Sequence, residues 1–225
     1  MSEQAVTSLK LITRLKKLFG AADRLWDEGA RTVSPGELSC RPGCFGCCIG
    51  PFEISLAEAV LARSGVERLA REEQDQIRER AAATIATARD LFPGDADAGL
   101  LDPERSEEAD DAYFAAVSQV ACPMLELPSG RCRIYEERPI TCRTYGLAWK
   151  REEEIVYPAC SLNFVGADEA RPRETAIDLD RLLSADQEMA ELARRAKLPA
   201  GAETTLAHAV LGSAFETTRD SAARV

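Results

Sequence analysis

CRPGCFGCC, residues 40–48, carries four of the chain's eight cysteines: Cys40, Cys44, Cys47 and Cys48. Gly43, Gly46 and Pro42 within this stretch cannot form a packed apolar face, so these thiols are not ordinary core residues. Glycine lets the backbone turn tightly enough for several sulfurs to converge. Thiolates at such spacing suit Zn2+ or an iron–sulfur cluster, with tetrahedral coordination at each metal. Cys48 directly follows Cys47, and adjacent side chains diverge. Cys48 is therefore read as serving a second metal or standing spare. The expected fold class follows: mostly α, with a small irregular β hairpin, the helices arranged around a Cys-rich metal-binding core.

The other four cysteines, Cys122, Cys132, Cys142 and Cys160, follow after an interval without any. Two clusters separated by a helical stretch read as two halves of one site, or as two sites close together. All eight are candidate metal ligands. Eight cysteines in 225 residues fall below the density of a small disulfide scaffold. The start, MSEQAVTSLKLITRLKK, lacks the apolar stretch of a secretory signal, because Lys10, Arg14, Lys16 and Lys17 interrupt it. The expected location is cytoplasmic, where thiols stay reduced.

Outward from the loop, one domain is expected over 1–225, its cysteine-cluster core at 30–165 and flanking helices at 1–29 and 170–225. Leu9, Ile12, Leu15, Phe19, Ala22 and Trp26 recur at helical spacing, and Gly29 reads as the stop. Ser55 with Glu58 three residues later fits a capping box that opens the next helix. A further helix after Gly65 runs to about Phe92, before Pro93-Gly94. Residues 94–111 read as an exposed acidic loop. Leu125 and Leu127 before Pro128-Ser129-Gly130, with Cys132 and Ile134 after it, give a hairpin signal. A brief helical turn after Pro139 carries Cys142. Helices are expected within 175–197 and over 202–215.

The net charge of −10 excludes a chain that wraps nucleic acid, since phosphate binding is driven by Lys and Arg. No run of 18 apolar residues exists, so no membrane partner is expected. A protein partner and the oligomeric state are left open. With one histidine, His208, read as a packing or surface residue, histidine-based acid–base chemistry has little material. No Ser-His-Asp set, P-loop or dinucleotide fingerprint is present.

CRPGCFGCCIGPFEIS followed by CPMLELPSGRCRIYEERPITCRTYG resembles the YkgJ family of cysteine-cluster proteins, a zinc- or iron-chelating domain. The shared pattern is C-x3-C-x2-C-C, then C-P-x-L with G-x-C-x-I-Y-E-x-R-P-x-x-C-R. Gly130, Cys132, Ile134, Tyr135, Glu136, Arg138, Pro139, Cys142 and Arg143 stand in it, and the likeness spans about residues 38–165. The resemblance implies metal binding by the clustered cysteines. The pattern is also similar to the cysteine-rich part of flagellin lysine N-methylases, for which an iron–sulfur centre is implied. No element that would bind S-adenosylmethionine is visible, and whether the chain is an enzyme is left open.

Metal-bound thiolates carry net negative charge that must be countered when buried. Residues 122–150 are net positive within this acidic chain, and Arg131, Arg133 and Arg143 each flank a cysteine, as Arg41 does. Such guanidinium donors would favour the thiolate. The expected cofactor is an iron–sulfur cluster or Zn2+. Eight cysteines with an adjacent pair exceed the need of one Zn2+, which leans toward an iron–sulfur centre; the alternative is a structural zinc module.

Overall fold

A computed structural model describes residues 3–152, 154–183, 192, 194–195, 198 and 201–211. The chain begins with α1 (Glu3–Ala30) and, after the cysteine loop, passes through β1 (Glu53–Ser55), α2 (Leu56–Glu67) and α3 (Arg71–Thr87). A hairpin of β2 (Gly94–Asp95) and β3 (Leu100–Leu101) leads into α4 (Glu107–Val117). A second hairpin, β4 (Leu125–Glu126) and β5 (Arg131–Cys132), precedes α5 (Ile140–Thr144), β6 (Trp149–Arg151) and β7 (Glu154–Tyr157). Then come α6 (Arg171–Glu174), β8 (Ile177–Asp178), α7 (Leu179–Leu183), β9 (Glu203–Thr205) and α8 (Leu206–Leu211). The architecture is mostly helical with small strand pairs, as the sequence reading expects.

Among the described residues there are two large apolar cores and a smaller one formed by Ala88, Phe92, Leu101, Tyr113 and Val117. In α1, Leu11, Leu15, Leu18, Ala22 and Leu25 recur every three or four residues and are buried, with Phe19 beside them. They pack against Leu61, Leu147, Phe164 and Ile177, so the seam runs one residue round from the expected stripe, leaving Ile12 and Trp26 half-buried at its margin. Gly29 does not stop α1. A Cβ there would stand 2.7 Å from both Leu147 Cδ1 and the Thr175 carbonyl oxygen, so glycine is needed for close approach. The second core joins α2, α3 and α8: Ala59, Ala62, Val66, Ile77, Ala81, Ala207 and Val210 meet Met124 and Ile134.

Strand β1 pairs antiparallel with β9, with Ile54 opposite Thr204. Strand β6 lies between antiparallel β7 and parallel β8. The β1–β9 and β6–β8 pairings join distant segments across strands of two or three residues, too short for alternation to declare itself.

Residues 94–111 are acidic and largely exposed, as expected, but they are not a plain loop. They contain the β2–β3 hairpin and the first turn of α4, and bury Ala98 and Leu101. Ser106 caps α4 by accepting the Ala109 amide, and Glu107, Glu108 and Asp110 favour its positive N-terminus. The acidic run is thus a helix start with an apolar hairpin beneath it. Of the expected C-terminal helices, residues 184–191 and 212–215 lie outside the described residues. Among the described residues no helix is long and apolar enough to cross a membrane.

Candidate metal centre

The cysteine loop is built from two turns. The Cys44 amide donates to the Arg41 carbonyl at 2.9 Å, and the Cys48 amide to Phe45 at 2.8 Å, closing a 3-10 turn over Gly46–Cys48. The tip of the β4–β5 hairpin sits on the first turn. Gly130 has φ +72°, and a Cβ on it would lie 2.5 Å from the Gly43 carbonyl oxygen, so no other residue fits without parting the two loops. The Cys122 amide donates to the Cys48 carbonyl at 2.7 Å, tying the second cluster to the end of the first. All eight cysteines are unpaired thiols of intermediate exposure.

Cys40, Cys44 and Cys160 lie on the α1 side. Asn163, 6% exposed, donates from Nδ2 to the Cys40 sulfur at 3.4 Å and to the Gly146 carbonyl at 2.8 Å, while its Oδ1 accepts from the Ser39 amide at 2.8 Å. The Cys160 amide donates to the same Gly146 carbonyl. Trp26 of α1 donates from Nε1 to the Tyr145 carbonyl at 3.1 Å, anchoring the strand of chain that carries Gly146. Burial raises the Cys40 thiol pKa; the Asn163 bond opposes this, and Cys44, Cys160 and Cys47 add to it.

Cys122 and Cys132 pack against the α2–α3–α8 core, and Cys142, on the α5 helix that packs on α1, is their electrostatic neighbour. Burial pushes the Cys122 thiol up to about 12, with Cys132 adding and Arg80 opposing. Burial also raises Cys132, and raises Cys142 well above the ordinary thiol range, where Cys122, Cys132 and Cys47 add to it. Cys47 is raised first by its hydrogen bond with the Cys48 thiol and then by burial, with Arg138 opposing. Cys47 is an electrostatic neighbour of Cys40 as well as of Cys132 and Cys142.

The arginines divide differently from their sequence positions. Arg143, although it follows Cys142, does not serve the thiols. It donates from Nη1 to Asp23 at 2.7 Å, from Nε to the Arg138 carbonyl and from Nη2 to the Glu136 carbonyl, and lies over the Phe19 ring. It is a strut between α1 and the turn that precedes α5. Arg138 instead opposes the raised pKa of Cys47, Cys132 and Cys142, as Arg80 of α3 does for Cys122. Sequence reasoning missed Arg80, which lies far from every cysteine along the chain. It also missed Asn163, whose one local sign is its place three residues after Cys160. Glu58 was legible only as a cap: its Oε2 accepts from Ser55, and its Oε1 also accepts the Ile140 amide at 2.8 Å, at the start of α5. His208, 1% exposed, is a core residue packed on the Phe92 ring.

Among the described residues no three His, Cys, Asp or Glu side chains stand in metal-holding geometry. The donor set nonetheless fits a thiolate-bound metal. The thiols are crowded and pushed toward the neutral form, the state a cation would reverse. Arg133 Nε and Nη1 and Arg138 Nε are buried with no hydrogen-bond partner, although such donors rarely go unpaired. Arg138 is an electrostatic neighbour of Cys47, Cys132 and Cys142, and anionic metal-bound sulfur is an acceptor its Nε lacks.

Fold and site together define a helical protein of the cysteine-cluster class, its thiols carried on tight turns between short elements. Residues 39–161, more than half of the chain, match the family CxxCxxCC, described as "Putative zinc- or iron-chelating domain", and the chain belongs to that family. The family's metals agree with the cofactor expected from sequence. This chain has three residues between its first two cysteines where the family's title pattern has two; Gly43, at φ +87°, lies in that interval. No curated protein and no solved structure matches the chain.

Proposed function

We propose that this is a metal-binding protein that holds an iron–sulfur centre through its clustered cysteine thiolates, with Cys40, Cys44, Cys47, Cys48, Cys122, Cys132, Cys142 and Cys160 as the ligand pool. The observation that carries the reading is the buried, unpartnered Nε of Arg138, an electrostatic neighbour of the unpaired thiols of Cys47, Cys132 and Cys142. When bound, such a centre supplies one-electron redox chemistry at a potential tuned by nearby hydrogen bonds and charge. Asn163 would donate to one sulfur, and Arg80 and Arg138 would offset the negative charge. The likeness to the YkgJ group supports the same reading. Unpaired thiols fit a reducing compartment such as the cytoplasm.

Zinc with no catalysis is the second reading. The seating of Gly130 on Gly43 favours it, because a metal there would lock loops already in contact. Anaerobic purification separates the two. The iron–sulfur reading expects brown protein with iron and acid-labile sulfide in comparable amounts; colourless protein with stoichiometric zinc would overturn it.

A further inference from the structure

We infer that Tyr135 is a positioning residue of the metal site: its ring holds the Arg138 guanidinium so that Nε is left for a metal-bound sulfur. The inference rests on the metal-binding reading above and adds a residue, not itself a ligand, that sets the affinity of that site.

Tyr135 is an exposed aromatic at a motif position. It follows Ile134 in the pattern shared with the cysteine-cluster proteins. Ile134 is 2% exposed and belongs to the α2–α3–α8 core, whereas Tyr135 is 55% exposed and packs in no core. The work of its ring is to carry Arg138, whose guanidinium carbon lies 3.8 Å from the ring centroid. A guanidinium stacked on an aromatic face keeps its N–H donors free, because they point outward in its own plane. Those donors are divided. Nη2 faces Asp23 of α1 at 3.6 Å, and Nε is buried with no hydrogen-bond partner.

The backbone beneath the stacked pair is fixed as well. Tyr135–Glu137 form a 3-10 turn, and the Arg138 amide donates to the Tyr135 carbonyl. Arg143 braces the same turn by donating to the Glu136 and Arg138 carbonyls. Along the chain this turn lies between Cys132, which ends β5, and Cys142 of α5. Arg138 is an electrostatic neighbour of both thiols and of Cys47. With one face on Tyr135 and Nη2 toward Asp23, the guanidinium is held with Nε turned into the protein.

The test measures zinc affinity of the full chain by chelator competition under reducing conditions, with urea melts of the metal-free protein alongside. Tyr135→Leu should weaken zinc binding about threefold and leave the metal-free midpoint unchanged. Tyr135→Phe keeps the stacking face and should bind zinc as the unaltered chain does. In an Arg138→Gln background Tyr135→Leu should have no further effect, because the ring acts through the guanidinium. Unchanged affinity in Tyr135→Leu overturns the inference, as does an equal loss in Tyr135→Phe or an undiminished loss in the Arg138→Gln background. An unaltered chain that binds neither zinc nor iron overturns the metal-binding reading itself. Should Tyr135→Leu fold poorly, Tyr135→Trp decides: retained affinity supports the stacking role, and a loss of about threefold refutes it.

Discussion

The Asn163 side-chain amide reaches across 123 residues of sequence to the Cys40 sulfur, and the Gly146 carbonyl and Ser39 amide hold it in that orientation. An N–H donor fixed on both sides cannot rotate away when the sulfur's charge changes. Asn163→Leu removes that donor and leaves the Gly146 carbonyl and the Ser39 amide without it. The expected cost is about 1–3 kcal/mol of stability in urea denaturation. A cluster ligated by Cys40 should also lose potential, since N–H donation to sulfur favours the reduced form. An unchanged potential with reduced stability would limit Asn163 to a packing role.

Glu58 serves two backbones. Its carboxylate completes the α2 capping box and accepts the Ile140 amide at the head of the helix that carries Cys142. Glu58→Ala should cost about 2–4 kcal/mol, a lost cap of about 1 together with an unpaired Ile140 amide. Glu58→Gln keeps one acceptor oxygen and should cost less. Equal losses for the two variants in urea melts would contradict this double duty.

His208 makes stability depend on pH. Burial, with Arg89 adding to it, lowers its pKa from 6.5 to about 4. The unfolded chain therefore binds a proton that the folded chain refuses, so the His208 contribution is full above pH 6.5 and is lost as pH falls toward 4. Its upper bound is about 3 kcal/mol. Comparing urea midpoints at neutral and mildly acidic pH in the unaltered chain and in His208→Leu isolates this part. The variant should show the flatter dependence, with its zinc content unchanged. Identical slopes would refute the assignment.

Gly146→Ala tests Cys40 directly. The position has φ +107°, which disfavours any side chain, and the added Cβ would press on the Cys40 sulfur. Zinc uptake by the metal-free chain should weaken at least about tenfold, a difference of about 1.4 kcal/mol. Unchanged uptake would argue that Cys40 is not a ligand.

Local features were the legible ones. Helix α1 announced itself by spacing, α2 by Ser55 and Glu58, and the β4–β5 hairpin by Pro128-Ser129-Gly130. Cys40, Cys44, Cys47 and Cys48 stood out by short spacing, a local signal that Cys122, Cys132, Cys142 and Cys160 lack. What stayed hidden depends on distant contact. Nothing in ETT at 203–205 indicates that it pairs with EIS at 53–55, since three residues carry too little periodicity. Arg143 leaves the duty that sequence adjacency assigned it and Arg80, far from every cysteine in sequence, stands beside Cys122, because a guanidinium head reaches whatever the fold places beside it. The acidic residues 107–111 looked like solvated loop because a charged first turn has the same composition as one.

The β1–β9 clasp bears on how the molecule can be cut. The family stretch at 39–161 omits α1, whose leucines line one core, and omits β9 and α8, which close the other. An expression fragment trimmed to those boundaries would emerge with an unpaired sheet edge and two opened cores, prone to aggregate before any ligand reached it. The family-matched middle is thus a passenger of its flanks, and dissection of this chain should proceed by point substitution.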